Sequence, residues 1–306
     1  MKKIVAFLFV AALSLGLVAC NDKALTTEEK EEQLVAAFVA YMGSREGKAT
    51  IKGNDGIISV SSSDKAWDDI KKDHPIVEED NSDVTIKFGG STSVEKIAKA
   101  LSTQFAPLAG NFKASHVHTG SGDAYKRTQG GEKDTANALH IGFASRAFSS
   151  EETTGPAATR GQLAIDAVVA IVPAASTETS ITRAQLKALF EAANENYKVY
   201  TRDASSGTRE AFLEAIGLKK TQTETEAPVG ASQVSSNGDM LNKVGADSKG
   251  IGYASLASLA SNKTIKGLKF AGEGQTEAVE ATEATVLSGD YKMQRPFMFI
   301  TRNYTK

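Results

Sequence analysis

The chain has 306 residues, of which 41% are hydrophobic, and its 35 basic and 37 acidic side chains give a formal net charge of −2. It has no basic tract, which argues against nucleic acid as a partner because binding to a phosphate backbone requires concentrated positive charge. A protein of this charge that binds an anion must use local donors, such as helix N-termini, backbone N–H groups and one or two arginines.

The N-terminus predicts a cleaved signal peptide over residues 1–19. Two lysines precede an apolar stretch from Ile4 to Ala19, which is too short to span a bilayer. The segment that ends at Cys20 resembles the lipobox of bacterial lipoproteins, in which the cysteine becomes the lipid-bearing N-terminus. Cys20 is the only cysteine, so a disulfide within the chain is impossible. An ordinary secretory signal that ends near a cysteine is the alternative.

Residues 20–83 are expected to form a tether and an N-terminal extension. Thr26 and Glu29 have the spacing of a capping box, which predicts a helix through about Met42. Residues 43–83 mix glycine, serine and charged side chains with short apolar runs. This composition assigns no role to the extension.

A strand, a polar turn and a helix follow one another from residue 84 onward. Residues 84–88 alternate between apolar and polar side chains, and the Gly/Ser/Thr turn at 89–93 ends the strand. Thr92 and Glu95 predict a second capping box, followed by a helix with apolar residues at helical spacing. Such a turn places free backbone N–H groups and hydroxyls at a helix start, which is a generic anion site.

The same unit recurs with strands at 113–118 and 198–201, each followed by a turn rich in glycine and serine. A further strand over 139–144 ends in Ser145 and Arg146, at the strand end where ligands bind in open α/β sheets. Alternating strands and helices predict an α/β fold with mostly parallel sheets. Turns of this kind are most often simple N-caps and arginines are most often surface residues, but the recurrence favours a binding site.

Taken in order, these segments resemble the phosphate-binding proteins of the high-affinity phosphate ABC importers. The resemblance runs from about residue 84 to the C-terminus and rests on Gly90-Ser91-Thr92-Ser93-Val94, Gly120-Ser121-Gly122, Ala144-Ser145-Arg146, the predicted helix at 181–190, Arg202-x-x-x-Ser206-Gly207-Thr208-Arg209, Gly250-Ile251-Gly252-Tyr253 and Ser288-Gly289-Asp290-Tyr291-x-x-x-Arg295-Pro296. It implies an α/β, two-lobed type II periplasmic-binding-protein fold with the ligand cleft between the lobes.

Lobe I is then expected over residues 84–166 and 251–306, and lobe II over 167–250. Two hinge crossovers are expected, near Asp166 and near Gly250. Closure of two lobes around an ion would exclude water from it.

The resemblance also implies a set of ligand contacts on this chain. They are Thr92, Ser93, Val94, Ser121, Ser145, Arg146, Arg202, Ser206, Gly207 and Thr208. In the best-known relatives a carboxylate at the end of the fourth strand accepts the proton of hydrogen phosphate and rejects sulfate, and Arg146 occupies that place here. Asp123 is an alternative acceptor, and Asp203 is expected to hold Arg202 in position. Selectivity for phosphate over another oxyanion such as sulfate therefore stays open.

The implied function is that of a binding protein without a cofactor. It would be a monomer that captures inorganic phosphate on the extracytoplasmic face, is held to the membrane by its N-terminal lipid and delivers phosphate to the membrane subunits of an ABC permease. No familiar hydrolase, Walker or metalloprotease motif is present in the sequence, which favours binding without turnover. A phosphatase on the same scaffold and a sensing or adhesion lipoprotein are the alternatives.

His116 and His118 raise the question of a metal site. On a strand this spacing puts both imidazoles on one face, where they could bind zinc. No cysteine or third ligand accompanies them in the sequence. The favoured interpretation is a pair of solvent-facing strand histidines and no metal.

Overall fold

The computed structural model describes residues 24–192, 194–218, 230–259 and 262–304, so the predicted signal peptide and Cys20 lie outside the described residues. The helices are α1 (Thr27–Gly43), α2 (Arg45–Gly53), α3 (Trp67–Ile70), α4 (Glu95–Phe105), α5 (Gly122–Thr128), α6 (Arg183–Glu191), α7 (Gly207–Ala215), α8 (Asn237–Ala246), α9 (Leu256–Leu259) and α10 (Glu283–Ser288). The strands are β1 (Thr85–Gly90), β2 (Lys113–His118), β3 (Ile141–Ala144), β4 (Arg160–Pro173), β5 (Ser180–Thr182), β6 (Lys198–Arg202), β7 (Ser232–Val234), β8 (Gly250–Ser255), β9 (Ile265–Gly267), β10 (Lys269–Ala271) and β11 (Gln294–Thr301). None of the described helices is long and apolar enough to cross a membrane.

Nine strands form one sheet in the order β2, β1, β3, β11, β4, β8, β6, β7, with β9 also paired to β4, and β5 and β10 pair in a separate two-stranded sheet. At one end β1 is parallel to β2 and β3, and at the other β6 is parallel to β7 and β8. The long strand β4 joins the two ends, since its first half is antiparallel to β11 and its second half is antiparallel to β8 and β9. The predicted α/β class is confirmed, whereas the predicted mostly parallel pairing is wrong, since five of the described strand pairs are parallel and four are antiparallel.

The buried apolar side chains form two large cores on either side of the middle of β4. Leu163 and Ala164 belong to the first core, whereas Ala167 and Val168 belong to the second. The backbone passes from the first core to the second in β4 and reaches the first again at Ala257, just after β8. It is back in the second core at Ile265 and returns to the first in β11. The second core also contains the buried side chains from 265 to 293, a stretch that the resemblance predicted for lobe I.

The N-terminal extension packs in the first core, apart from Ile57, which belongs to the second. Phe38 on α1 is buried, and its ring centroid lies 5.0 Å from that of Phe88 and 5.5 Å from that of Phe105. Further along, Ile57 forms an antiparallel bridge to Ile165 of β4 through two backbone hydrogen bonds of 3.0 and 2.9 Å. The extension therefore covers apolar surface that the strand and helix units alone would expose.

One of the two predicted capping boxes is present in the structure and the other is missing. Thr26 and Glu29 form the predicted box at the start of α1. Thr92 and Glu95 do not form one, because α4 begins after Val94 without a side-chain cap. This prediction was wrong for a physical reason: the Thr92 hydroxyl accepts a hydrogen bond from a guanidinium instead.

Candidate functional site

The candidate site lies where the C-terminal ends of parallel strands from the two halves of the sheet meet. The turns after β1, β2 and β3 supply serines from the first half of the sheet. From the second half come Arg202, the last residue of β6, and the start of α7. Because parallel strands end at the same edge of a sheet, these turns are gathered at one place. We call the resulting group of hydroxyls, amides and guanidiniums the polar cluster. Its members are Ser91, Thr92, Ser93, Ser121, Ser145, Arg202, Ser206, Thr208, Asn237 and Arg295.

Ser93 is the best-connected residue of the polar cluster. Its Oγ accepts hydrogen bonds from Arg295 Nη2 at 3.0 Å and from Asn237 Nδ2 at 2.9 Å. It also lies 2.9 Å from Thr208 Oγ1, a residue on α7 in the other half of the sheet. Ser93 and Thr208 are both buried. A predicted contact of the first turn and one of the third turn are thus brought together.

Three further serines form a chain of hydroxyls beside Ser93. Ser91 Oγ donates to Ser145 Oγ at 2.9 Å, and Ser145 Oγ lies 3.2 Å from Ser121 Oγ. The backbone N–H of Ser145 donates to Ser121 Oγ at 3.0 Å. Because its hydroxyl is engaged in this chain, Ser121 does not cap α5 with its side chain. The structure therefore brings the predicted residues Ser121 and Ser145 together.

Arg202 at the end of β6 reaches across to the first turn. Its Nη1 donates to Thr92 Oγ1 at 3.3 Å, and its Nη2 donates to the carbonyl of Ser235 at 3.0 Å. Asp203 Oδ2 lies 3.7 Å from Nη2, in the position expected for a residue that holds the guanidinium. Arg202 is only 1% exposed, and its Nε–H has no hydrogen-bond partner. A buried, unpaired donor is costly, which makes this group a candidate to receive an anion.

Burial also lowers the pKa of Arg202 from its usual value, while the nearby Asp203 carboxylate raises it. The pKa is lowered because burial keeps the positive charge away from water, which is costly. A negatively charged ligand would offset that cost.

Arg295 and Asp166 form a fully buried ion pair that was not among the predicted contacts. Asp166 Oδ2 accepts from Arg295 Nε at 3.0 Å and from Nη2 at 2.8 Å. The same guanidinium donates to Ser145 Oγ through Nη1 at 3.1 Å and to Ser93 Oγ through Nη2. In the sequence, Arg295 was noted only as part of the Arg295-Pro296 pair near the C-terminus. Asp166 was predicted only as a hinge position.

The start of α7 approaches the serine chain through a glycine. Ser206 caps the helix by accepting from the Arg209 N–H at 3.2 Å. A Cβ on Gly207 would lie 2.4 Å from Ser121 Oγ and 3.0 Å from Ser145 Oγ. Only a residue without a side chain permits this approach. Gly207 is thus the point of closest contact between α7 and the two serines.

Two predicted contacts have other partners in the structure. Arg146 makes a two-pronged ion pair with Glu152, at 2.6 and 2.9 Å, and its Nε lies 2.9 Å from Glu210 Oε2 on α7. The Val94 N–H donates to the Ser91 carbonyl at 3.3 Å.

Asp123, the alternative acceptor, accepts a hydrogen bond from the Thr119 hydroxyl. The proton acceptor suggested by the sequence thus has a partner outside the polar cluster.

His116 and His118 are half-buried in the structure, not solvent-facing as predicted. The two rings stack on each other with 5.5 Å between centroids, and His116 stacks on Phe88 at 4.9 Å. His118 Nδ1 lies 3.1 Å from the Ser91 carbonyl, directly behind the polar cluster. Burial, together with the charges of His118 and Lys99, lowers the pKa of His116 to about 4. Among residues 24–304 as described, no group of three or more His, Cys, Asp or Glu could hold a metal ion.

A buried cluster of donors at the strand ends, set between two cores that are joined by crossing strands, defines a ligand-binding protein of the periplasmic-binding-protein type. The sequence model of the PBP superfamily domain matches residues 75–306, and the chain belongs to that superfamily. The type II periplasmic-binding-protein fold expected from the resemblance is confirmed.

Related proteins are found among phosphate-binding proteins. The chain is 36% identical over 108 residues to phosphate-binding protein PstS 2 of Streptococcus agalactiae serotype V, and the match covers 34% of each chain. It is 27% identical over 256 residues to protein SphX of Synechococcus elongatus, covering 76% of this chain and 72% of SphX. The matched region is thus about a third of the length of the streptococcal relative.

Solved structures share the fold. A putative phosphate ABC transporter substrate-binding protein from Clostridium perfringens, with bound phosphate, has a TM-score of 0.61 and 24% identity, covering 72% of this chain and 86% of that one. An ABC-type phosphate transport receptor from Vibrio cholerae has a TM-score of 0.54 and 25% identity, with coverage of 72% and 88%. The likeness to the Clostridium perfringens protein, at 24% identity, is evidence for a shared fold alone.

Proposed function

We propose that the protein is the extracytoplasmic substrate-binding component of an ABC importer and that it binds inorganic phosphate in the polar cluster. The observation that carries this proposal is the buried Arg202, whose Nε–H is unpaired among hydroxyls contributed by both halves of the sheet. The names of the relatives as phosphate-binding proteins support the choice of ligand.

The proposed contacts are those predicted from the sequence with two exceptions, Val94, whose N–H donates to the Ser91 carbonyl, and Arg146. The residues that keep their predicted role are Thr92, Ser93, Ser121, Ser145, Arg202, Ser206, Gly207 and Thr208. Asn237 and Arg295 join them because they bond directly to Ser93. Arg146 acts one step away from the ligand. Its ion pairs with Glu152 and Glu210 link the turn after β3 to α7, so it would hold the two sides of the closed site together.

The number of donors agrees with capture of a small anion. Phosphate has five heavy atoms, and a ceiling of about 1.5 kcal/mol per atom gives roughly 7.5 kcal/mol, or micromolar affinity. Charge-assisted hydrogen bonds contribute on the order of 1.5–3 kcal/mol each, so two arginines and several hydroxyls suffice if water is excluded. The contact between Thr208 and Ser93, from opposite halves of the sheet, is the kind of contact that excludes it.

The two cores suggest a division into lobes. Lobe I would contain the extension, the chain up to Asp166 and the strand after Arg295. Lobe II would contain residues 167–293 apart from the short helix α9, of which Ala257 packs in the first core. The hinge would lie where β4 and β11 cross between the cores, next to the Arg295–Asp166 ion pair.

The remaining features of the proposal follow from the assigned class. The protein would be a monomer anchored through lipid on Cys20, with the permease membrane subunits as its partner. It would bind without turnover, because the described hydrogen bonds of Ser93, Ser121 and Ser145 join them to hydroxyl, amide and guanidinium groups and not to a general base.

Isothermal titration of the anion-free protein with phosphate tests the proposal. Wild type should bind at micromolar concentration or tighter, and Arg202→Ala should lose at least about thirtyfold in affinity because truncation of a buried charge partner costs about 2–5 kcal/mol. Arg45→Ala is the matched control, since the Arg45 side chain lies on α2 of the N-terminal extension, is half-exposed and pairs with Glu46. Undetectable phosphate binding by wild type would contradict the proposal.

A further inference from the structure

The hydrogen bonds of the polar cluster determine which ligand chemistry it offers. A hydroxyl has one proton to donate and two lone pairs to accept with, whereas a guanidinium can only donate. A tetrahedral oxyanion without protons needs donors alone. An anion that carries a P–O–H group also needs an acceptor, and a carboxylate is the strongest acceptor a protein can supply.

The lone pairs of Ser145 and Ser121 are already occupied. Ser145 Oγ accepts from Arg295 Nη1 and from Ser91 Oγ, so its own proton must go to Ser121 Oγ. Ser121 Oγ then accepts from that hydroxyl and from the Ser145 N–H. The Ser121 hydroxyl can therefore donate one hydrogen bond to a ligand but has no lone pair left to accept one.

The same reasoning applies to Ser93 and Thr208. Ser93 Oγ accepts from Arg295 and from Asn237, so its proton goes to Thr208 Oγ1. Thr208 keeps its O–H and a single free lone pair. Thr92 accepts from Arg202 and is left in the same state. The unpaired Nε–H of Arg202 adds another donor.

The carboxylates nearest to the polar cluster have partners from the chain itself. Asp166 accepts from Arg295, from Ser255 Oγ at 2.7 Å and from the Ala257 N–H at 3.3 Å. Asp203 accepts from the Ser205 N–H at 2.9 Å and lies near Arg202.

The other nearby carboxylates are occupied as well. Asp239 accepts from the Ser235 N–H at 3.3 Å, and Glu152 and Glu210 are held by Arg146. Each of these five carboxylates is thus engaged by a donor or a cation of the chain itself.

We infer that the polar cluster selects its ligand by the charge of the ligand and not by a ligand proton. It binds dianionic tetrahedral oxyanions as a class, so that hydrogen phosphate and sulfate both bind and dihydrogen phosphate is disfavoured. The inference rests on the proposed function and defines its substrate class. The free lone pair of Thr208 or of Thr92 can accept the one proton of hydrogen phosphate, and sulfate has no proton to place. Dihydrogen phosphate is disfavoured because it carries one negative charge less.

Competition titrations with inorganic phosphate and sulfate at pH 5.5, 7 and 8.5 test the inference. At pH 8.5 the dissociation constant for sulfate should lie within about a hundredfold of that for phosphate, because one charge-assisted hydrogen bond accounts for a ratio of about this size. Below neutral pH the affinity for phosphate relative to sulfate should fall by about tenfold per pH unit, the slope for one linked proton. Sulfate serves as the internal reference because it does not titrate in this range.

Either of two results would overturn the inference while leaving the proposed function intact. One is phosphate binding that a thousandfold excess of sulfate does not displace. The other is a phosphate-to-sulfate affinity ratio that is the same at pH 5.5 and pH 8.5. If neither anion bound to wild type, the proposed function and the inference would fail together.

A substitution that adds an acceptor gives a second test. Asn237→Asp keeps the size of the side chain but places a carboxylate oxygen where Nδ2 now lies, 2.9 Å from Ser93 Oγ. It should weaken sulfate binding at least tenfold more than phosphate binding and favour phosphate at acid pH. Asn196→Asp, at an exposed position, adds the same charge as a control. Equal losses for both anions in Asn237→Asp would contradict the inference.

Discussion

Ser93 Oγ and Thr208 Oγ1 lie 2.9 Å apart although 115 positions separate the two residues in the chain. Ser93 follows a strand of the first half of the sheet and Thr208 lies on the first turn of α7 in the second half. Both side chains are buried, so the contact exists only when the two halves approach closely. Under the proposed division into two lobes, this hydrogen bond would report on closure of the candidate site.

The close approach of α7 should depend on Gly207. In Gly207→Ala the new methyl carbon would lie 2.4 Å from Ser121 Oγ, which prevents the observed packing. We expect a loss of at least tenfold in phosphate affinity, measured by titration calorimetry, with little change in thermal stability because the overlap disappears when the site opens. Gly131→Ala is the control, since a Cβ there meets no atom within 4 Å. Unchanged affinity in Gly207→Ala would show that the ligand does not require this approach.

The Arg295–Asp166 pair should matter for stability as well as for binding. Asp166→Asn leaves a buried guanidinium without its counter-charge, and removal of one partner of a buried pair typically costs about 3–5 kcal/mol. Urea unfolding measures this free energy. Glu273→Gln breaks a largely exposed pair with Arg183 and should cost less than about 1 kcal/mol. A loss below about 1 kcal/mol in Asp166→Asn would contradict the assigned role of the pair.

The N-terminal extension should be required for the first core. Phe38→Ala removes a buried ring that packs on Phe88 and Phe105, and such truncations cost about 3–5 kcal/mol. The midpoint of chemical unfolding should fall accordingly, whereas Leu287→Ala, at a position 54% exposed, should change the free energy of unfolding by no more than about 0.5 kcal/mol. Equal small effects of the two substitutions would mean that the extension is not part of the cooperative fold.

The stacked histidines should make the protein less stable in acid. Burial, followed by the charges of His118 and Lys99, lowers the pKa of His116 to about 4, while Glu95 raises it. The unfolded chain binds a proton near pH 6.5 that the folded chain does not bind until about pH 4. The stabilising contribution is therefore complete above about pH 6.5 and is lost as the pH falls toward about 4.

Thermal unfolding of wild type and His116→Phe at pH 7.5 and pH 5 measures this contribution. Phenylalanine preserves the stack between Phe88 and His118 but does not titrate. The drop in Tm between the two pH values should be smaller in the variant than in wild type. An equal drop would show that His116 does not contribute to acid sensitivity.

The local elements of this protein follow from short-range patterns in its sequence. The capping box of Thr26 and Glu29, the alternation at 84–88 and the apolar run at 163–173 each reflect interactions between residues close in the chain. Glycine- and serine-rich turns after strands also indicated where hydroxyls would gather. The resemblance to phosphate-binding proteins, carried by these same segments, then implied Ser93, Ser121 and Arg202 as candidates.

The partners of the polar side chains were decided by the tertiary structure alone. Thr92 had the local spacing for a cap, yet Arg202 takes its hydroxyl, and Arg146 stands where a proton acceptor was expected, yet two glutamates hold it. Arg295 reaches Ser93 from 202 positions away. A hydrogen bond depends on distance and angle in space, so sequence patterns can nominate a donor or an acceptor, but only the folded sheet determines which groups meet.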